Sequence, residues 1–151
     1  MTNDILNAIS RALGETFGEL PIYFEMVEQN FKEPCFFLNV VNEEEQPLLG
    51  NRAKRNTLLD VMYFPKDGKE ECLQIASKLY PILKCIQLFE YNNSTENVKY
   101  TDKLNGYGLN YHIEDSVLHF FVNYRAIVYY PTVSTDKMSE ITRNVGVTNG
   151  R

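Results

Sequence analysis

The chain contains two histidines, His112 and His119, and their spacing could place them side by side. They lie in YGLNYHIEDSVLHFFVNY (residues 107–124), where apolar and polar residues alternate as in a β-hairpin. If residues 115–116 form a two-residue turn, His112 faces His119, with Cβ atoms about 5 Å apart. Glu114 follows one pair along on the same face. Two imidazoles and a carboxylate in this arrangement could bind one metal ion.

The alternative interpretation is that both histidines belong to a polar strand face or to a contact between subunits. We prefer this alternative, because a metal site also needs supporting hydrogen bonds that a sequence cannot show. We therefore predict no metal and no other cofactor. A small metal-dependent enzyme using His112, Glu114 and His119 remains the alternative from a different functional class. The same hairpin register pairs Leu109 with Val122 on the apolar face.

Motifs for other kinds of catalysis are missing from the sequence. No serine stands in a GxSxG motif, and no cysteine has a histidine at a recognisable family spacing. Gly106 and Gly108, in NGYGLN, resemble half of a phosphate-binding loop but lack the following helix and lysine. We predict a strand bulge or tight turn there. The protein is therefore expected not to be an enzyme.

A charged stretch, NEEEQPLLGNRAKR (residues 42–55), is the second group that could act in recognition. Its acidic residues precede Pro47 and its basic residues follow Gly50. The charged residues in question are Glu43, Glu44, Glu45, Arg52, Lys54 and Arg55. We interpret the stretch as a long hairpin loop, and opposite charge blocks suit docking of one copy against the next. The alternative is a solvated hairpin tip.

The elements that must position these residues follow from hydrophobic periodicity. The sequence predicts helices at 3–19 and 69–89, strands at 22–28, 35–41, 55–64 and within 98–130, and a kink or break at Pro81. Consecutive strands and few helices indicate an α+β fold in the order α-β-β-β-α-β-β. We expect a largely antiparallel sheet of five to six strands with both helices on one face. Residues 1–131 would form one domain and residues 132–151 a mobile tail.

Charge and composition exclude several classes of protein. The chain has 151 residues and a formal net charge of −5, which argues against general binding to nucleic acid or anionic membranes. No apolar run approaches the roughly 18 residues of a membrane span, and the N-terminal residues do not resemble a secretory signal. The three cysteines form no CxxC pair, so we expect free thiols packed as small hydrophobes in a reducing compartment.

The order of elements, the phrase PCFFLNVV and the strand NTLLDVMYFP leading directly into a helix carry a family resemblance. Over residues 1–131 the chain resembles the tail-terminator, or tail-completion, proteins of long-tailed bacteriophages and prophages. The resemblance implies a homo-oligomeric ring, commonly hexameric, on the last ring of the major tail tube protein. Such a ring stops tube polymerisation and joins the tail to the head–tail connector protein. DNA would pass through its lumen only as cargo.

The resemblance also implies where the protein works and which residues face its partners. Its location would be the virion tail and, during assembly, the host bacterial cytoplasm. The charged stretch would face a partner or the lumen. Independently of the resemblance, a closed ring needs complementary patches, and the polar hairpin face with His112, His119 and, as an apolar anchor, Phe121 is a candidate surface. Another phage neck, head-completion or minor tail protein is the alternative within structural proteins, and a free-standing ligand-binding domain is a further one.

Overall fold

A computed structural model of the chain describes residues 2–24, 31–92 and 97–131, with the backbone alone at 89–92 and 97–102. The tail predicted to be mobile, 132–151, lies outside the described residues, as do residues 25–28 of the first predicted strand.

Two helices and six strands make up the described part of the chain. In order they are α1 (Thr2–Phe17), β1 (Ile22–Tyr23), β2 (Cys35–Pro47), β3 (Arg52–Phe64), α2 (Lys69–Leu83), β4 (Cys85–Asn92), β5 (Asn97–Glu114) and β6 (Val117–Tyr129). The strands form one sheet in the order β1-β2-β3-β6-β5-β4. Only β1 and β2 are parallel; every other pair is antiparallel. The predicted α+β class, element order and mainly antiparallel sheet are confirmed.

Both helices pack against one face of the sheet. In α1 the apolar residues recur every four positions, so Ile5, Ile9 and Leu13 lie on one side and are fully buried. The core cluster of the described residues joins this stripe to α2 and to the inward residues of the strands, including Cys72, Leu79, Phe36, Val61, Phe120 and Val122. Neither of the two described helices packs on the opposite face of the sheet, to which alternate strand residues point.

The region predicted as a long charged loop is mostly strand. β2 and β3 continue through it, and only residues 48–51 form the turn. The long-loop interpretation is wrong because the charged side chains face partners across the two strands. Glu45, for example, pairs with Arg55 in the strand register. Along the outer part of β2 both faces are exposed, so the alternation of apolar and polar residues that marks a half-buried strand is missing there.

The second helix is shorter than predicted, ending at Leu83 rather than residue 89. Pro81 lies in its last turn, and Cys85 already belongs to β4. Ile86, expected on the helical stripe, is buried from a strand instead. Burial also differs among the cysteines: all three are free, but Cys85 is exposed.

The hairpin of β5 and β6 has the predicted turn at residues 115–116, both with positive φ (51° and 64°) as a primed two-residue turn requires. His112 pairs with His119 as predicted. The predicted pair of Leu109 with Val122 does not form, because the register shifts by one residue between Tyr107 and Asn110. Gly108, at φ 64°, lies in this bulge, so the predicted bulge is confirmed.

The strand β5 changes partner at its middle. Residues 97–105 pair with β4, and residues 106–114 pair with β6. At the junction the Gly106 amide donates to the Lys84 carbonyl at 2.8 Å, and the Tyr124 hydroxyl donates to the Leu83 carbonyl at 2.7 Å. These bonds tie the end of α2 to the sheet.

Candidate functional site

The sheet face turned away from the helices, called here the open face, carries the histidine pair. On β3 and β6, Val61 and Phe120 point into the core, so Asp60, His119 and Phe121 point to the open face. The register places Asp60 opposite Phe121, while His119 lies between β3 on one side and β5 on the other.

The two histidines stack on each other and lie beside a carboxylate. Their ring centroids are 5.1 Å apart with an interplanar angle of 15°, and the His112 ring stacks on Phe121 at 5.4 Å. His112 Nε2 is 3.6 Å from Glu114 Oε2. One ligand atom from each of His112, Glu114 and His119 lies within 4.8 Å of the others. The structure therefore brings together the three residues predicted as possible metal ligands.

Asp60 is hydrogen-bonded to His119 and was not among the predicted site residues. The carboxylate is only 6% exposed, and its Oδ2 lies 2.8 Å from His119 Nδ1. Its Oδ1 has no hydrogen-bond partner within the described residues. Burial raises the pKa of Asp60, and the hydrogen bond from His119 opposes that rise. A single acidic residue inside the apolar strand segment 55–64 was the available sequence signal.

The charged residues of the β2–β3 hairpin divide between the two faces of the sheet. On the helix side, Arg55 Nη2 is 2.8 Å from Glu45 Oε1, and the Tyr130 hydroxyl donates to the same carboxylate at 2.5–2.6 Å. The hydroxyl of Tyr130 and then Arg55 lower the pKa of Glu45. Glu43 accepts a hydrogen bond from Thr2 at 2.5 Å and lies 3.8 Å from Arg55. Part of the predicted charge complementarity is therefore used within one chain.

The remaining charges of the hairpin border a shallow depression on the open face. It has a volume of about 320 Å³ and is lined by residues that include Glu44, Gln46, Lys54, Asn56, Tyr107 and Arg125. The Arg125 guanidinium lies 5.0 Å from the centre of the Tyr107 ring, and the Tyr107 hydroxyl donates to Asn56. Arg52 is exposed and donates to the Leu49 carbonyl.

The β1–β2 side of the open face is covered by aromatic rings, which sequence reasoning did not identify. Phe37 is 2% exposed and contacts three rings, those of Tyr23, Phe31 and Phe64, at centroid distances of 4.9–5.6 Å. The accessible part of the open face therefore runs from the depression to the histidine pair.

The family model described as phage tail terminator protein matches residues 4–137. The chain belongs to this family. The resemblance found in the sequence is thereby confirmed, and the protein is a structural component of the phage tail with a role in tail assembly. A search of curated proteins found no match. Within the described ranges, no helix is long and apolar enough to cross a membrane.

Membership of this family changes how the open face is interpreted. Assembly proteins act through surfaces. Here one sheet face is not covered by either described helix, and it carries exposed charges and stacked rings. The arrangement is suited to binding another protein or an ion.

Proposed function

We propose that this protein closes the tail tube as a homo-oligomeric ring. It would sit on the last ring of the major tail tube protein, stop polymerisation, and present a joining surface to the head–tail connector protein. The observation that carries the proposal is the match to the tail terminator family over residues 4–137. In this role the protein acts by contact, without catalysis.

A ring requires each subunit to present two different, complementary patches to its neighbours. The exposed outer end of the β2–β3 hairpin is one candidate, and the polar face of the β5–β6 hairpin is the other. The proposed contact residues are Glu43, Glu44, Glu45, Arg52, Lys54, Arg55, His112, His119 and Phe121. Since Arg55 and Glu45 already bind each other at 2.8 Å, Arg52 and Lys54 are the basic residues best placed for a neighbour.

The charge of the chain supports a DNA conduit. A net charge of −5 disfavours adhesion of DNA, so DNA could slide through the ring as cargo. The protein would work in the virion tail and, during assembly, in the host bacterial cytoplasm, without a membrane partner. We propose a hexamer for the assembled state. In solution the protein is either already a ring or a monomer that assembles on contact with the tube.

The terminator function is tested by letting purified major tail tube protein polymerise with and without this protein. We expect the protein to shorten the tubes, with density on one tube end in negative-stain electron microscopy. Light scattering then shows whether the mass in solution is 17.5 kDa or a multiple of it. Tubes of unchanged length at molar excess of the protein would contradict the proposal.

The interface is tested separately with the double variant R52E/K54E. We expect weaker ring formation or tube binding, and the loss should be larger at low salt because screening is then weakest. The matched control is K69E/K78E, which makes the same charge change at exposed positions of α2. If both variants assemble equally well at low salt, the β2–β3 hairpin is not part of the interface. That result would not contradict the proposed terminator function.

A further inference from the structure

We propose that His112, Glu114 and His119 bind a divalent transition-metal ion of the zinc type on the open face, with Asp60 as the positioning residue. This inference reverses the preference drawn from the sequence alone, and it does not depend on ring formation or tube closure.

The donor set suits such an ion. Zinc in proteins is bound by imidazole nitrogens and carboxylate oxygens at about 2.0–2.2 Å, which places tetrahedral ligand atoms roughly 3.3 Å apart. His112 Nε2 and Glu114 Oε2 are already 3.6 Å apart, and all three donors lie within 4.8 Å. The side chains of His112 and Glu114 are 52% and 70% exposed, so rotation about their side-chain bonds can close the remaining gap.

Asp60 supplies the support that a sequence could not show. Histidines that bind a metal usually donate their second ring N–H to a carboxylate, which fixes the tautomer and the ring orientation. Here the Nδ1–H of His119 donates to Asp60 Oδ2 at 2.8 Å, which leaves the lone pair of Nε2 available. The bond joins β3 to β6, so the ring is held by the sheet itself.

Charge balance favours the same conclusion. Asp60 and Glu114 place two carboxylates on this small area of the open face, and Asp60 is 6% exposed with Oδ1 unpaired among the described residues. A buried carboxylate without full compensation is costly. A divalent cation neutralises both charges. Three ligands from one chain leave one position open, which water fills in the isolated protein.

The experiment uses the full chain, freed of any purification tag and treated with chelator. Zinc is titrated by calorimetry, and cobalt(II) serves as the spectroscopic probe, since its visible absorption reports coordination geometry. We expect one ion per chain. H112A and E114Q should abolish or strongly weaken binding, and D60N should weaken it by roughly 10- to 100-fold. E70Q, at an exposed carboxylate of α2 outside the cluster, is the matched control and should bind like wild type.

Two outcomes would overturn the proposal. One is no zinc binding and no visible cobalt spectrum at micromolar protein. The other is affinity unchanged in H112A and E114Q, which would move the metal elsewhere. If the circular dichroism of D60N differs from that of wild type, the test relies on H112A and E114Q. Their substituted side chains are exposed and do not support the fold. Tube-closure assays run in parallel keep this result separate from that of the proposed function.

Discussion

Gly106 marks the point where β5 leaves β4 and joins β6, and an alanine there has no room. An ideal Cβ at Gly106 would lie 2.5 Å from the Leu83 carbonyl oxygen, 2.8 Å from Val122 Cγ2 and 3.2 Å from Tyr124 Cε1. The first of these atoms is backbone and the others belong to fully buried side chains. The added methyl group must therefore displace the end of α2 or the core side of β6.

The cost of Gly106→Ala follows from two terms. Overpacking a dense core costs typically about 1–3 kcal/mol. Movement of the Leu83 carbonyl also strains or breaks its 2.7 Å hydrogen bond from Tyr124, which contributes roughly 0.5–1.5 kcal/mol. We expect the free energy of unfolding to fall by about 2–4 kcal/mol. At 2–4 °C per kcal/mol for a chain of this size, the Tm falls by about 4–16 °C.

The assay is thermal unfolding followed by circular dichroism, with Gly14→Ala as the control. Gly14 lies inside α1, where an added Cβ meets nothing within 4 Å. Alanine favours a helix interior over glycine by up to about 1 kcal/mol, so the control should melt at or above the wild-type temperature. A Gly106→Ala protein that melts as high as Gly14→Ala would refute the steric reasoning.

Two further predictions concern titration and reactivity. Because Tyr130 and then Arg55 lower the pKa of Glu45, its ionised form adds stability above the ordinary pKa of about 4.3 and loses it as the pH falls through the lower folded value. Glu45→Gln should therefore reduce Tm at pH 7 and converge with wild type in acid; a constant difference would contradict this. Of the three thiols, only exposed Cys85 should react quickly with a disulfide reagent in the native protein. Burial and then Glu33 raise the pKa of Cys35 to about 11, and comparable native rates for all thiols would disprove the prediction.

The β5–β6 hairpin was predictable because its residues constrain one another locally. A slip of one residue would turn the apolar face outward, so alternation through residues 107–124 selects the register. The turn at 115–116 and the pair of His112 with His119 follow directly. A bulge or tight turn near Gly108 was predicted. The resulting shift in the partner of Leu109 was not, because it depends on the geometry of the extra residue.

The extent of β2 and β3 could not be predicted in the same way. Strand signals arise from one buried face, but the outer half of β2 is exposed on both faces. In the outer half of β3, charged and polar side chains occupy half-buried positions, which hides the same signal. They are held by cross-strand partners such as Glu45 with Arg55, and by Tyr130 from beyond β6. From the sequence, a run of glutamates followed by a run of basic residues is typical of a loop. The strand register that pairs the two runs shows instead that they form a hairpin.

The candidate metal site was predictable from the sequence only in part. Its three donors fall within eight consecutive residues of one hairpin, so alternation alone could assemble them. A histidine pair on a polar face does not by itself distinguish a metal site from a solvated surface. Asp60 makes that distinction, and its contact with His119 spans 59 positions and requires β3 to lie next to β6. Local periodicity does not determine the order of strands in the sheet. The sequence alone therefore could not distinguish a metal site from a solvated surface.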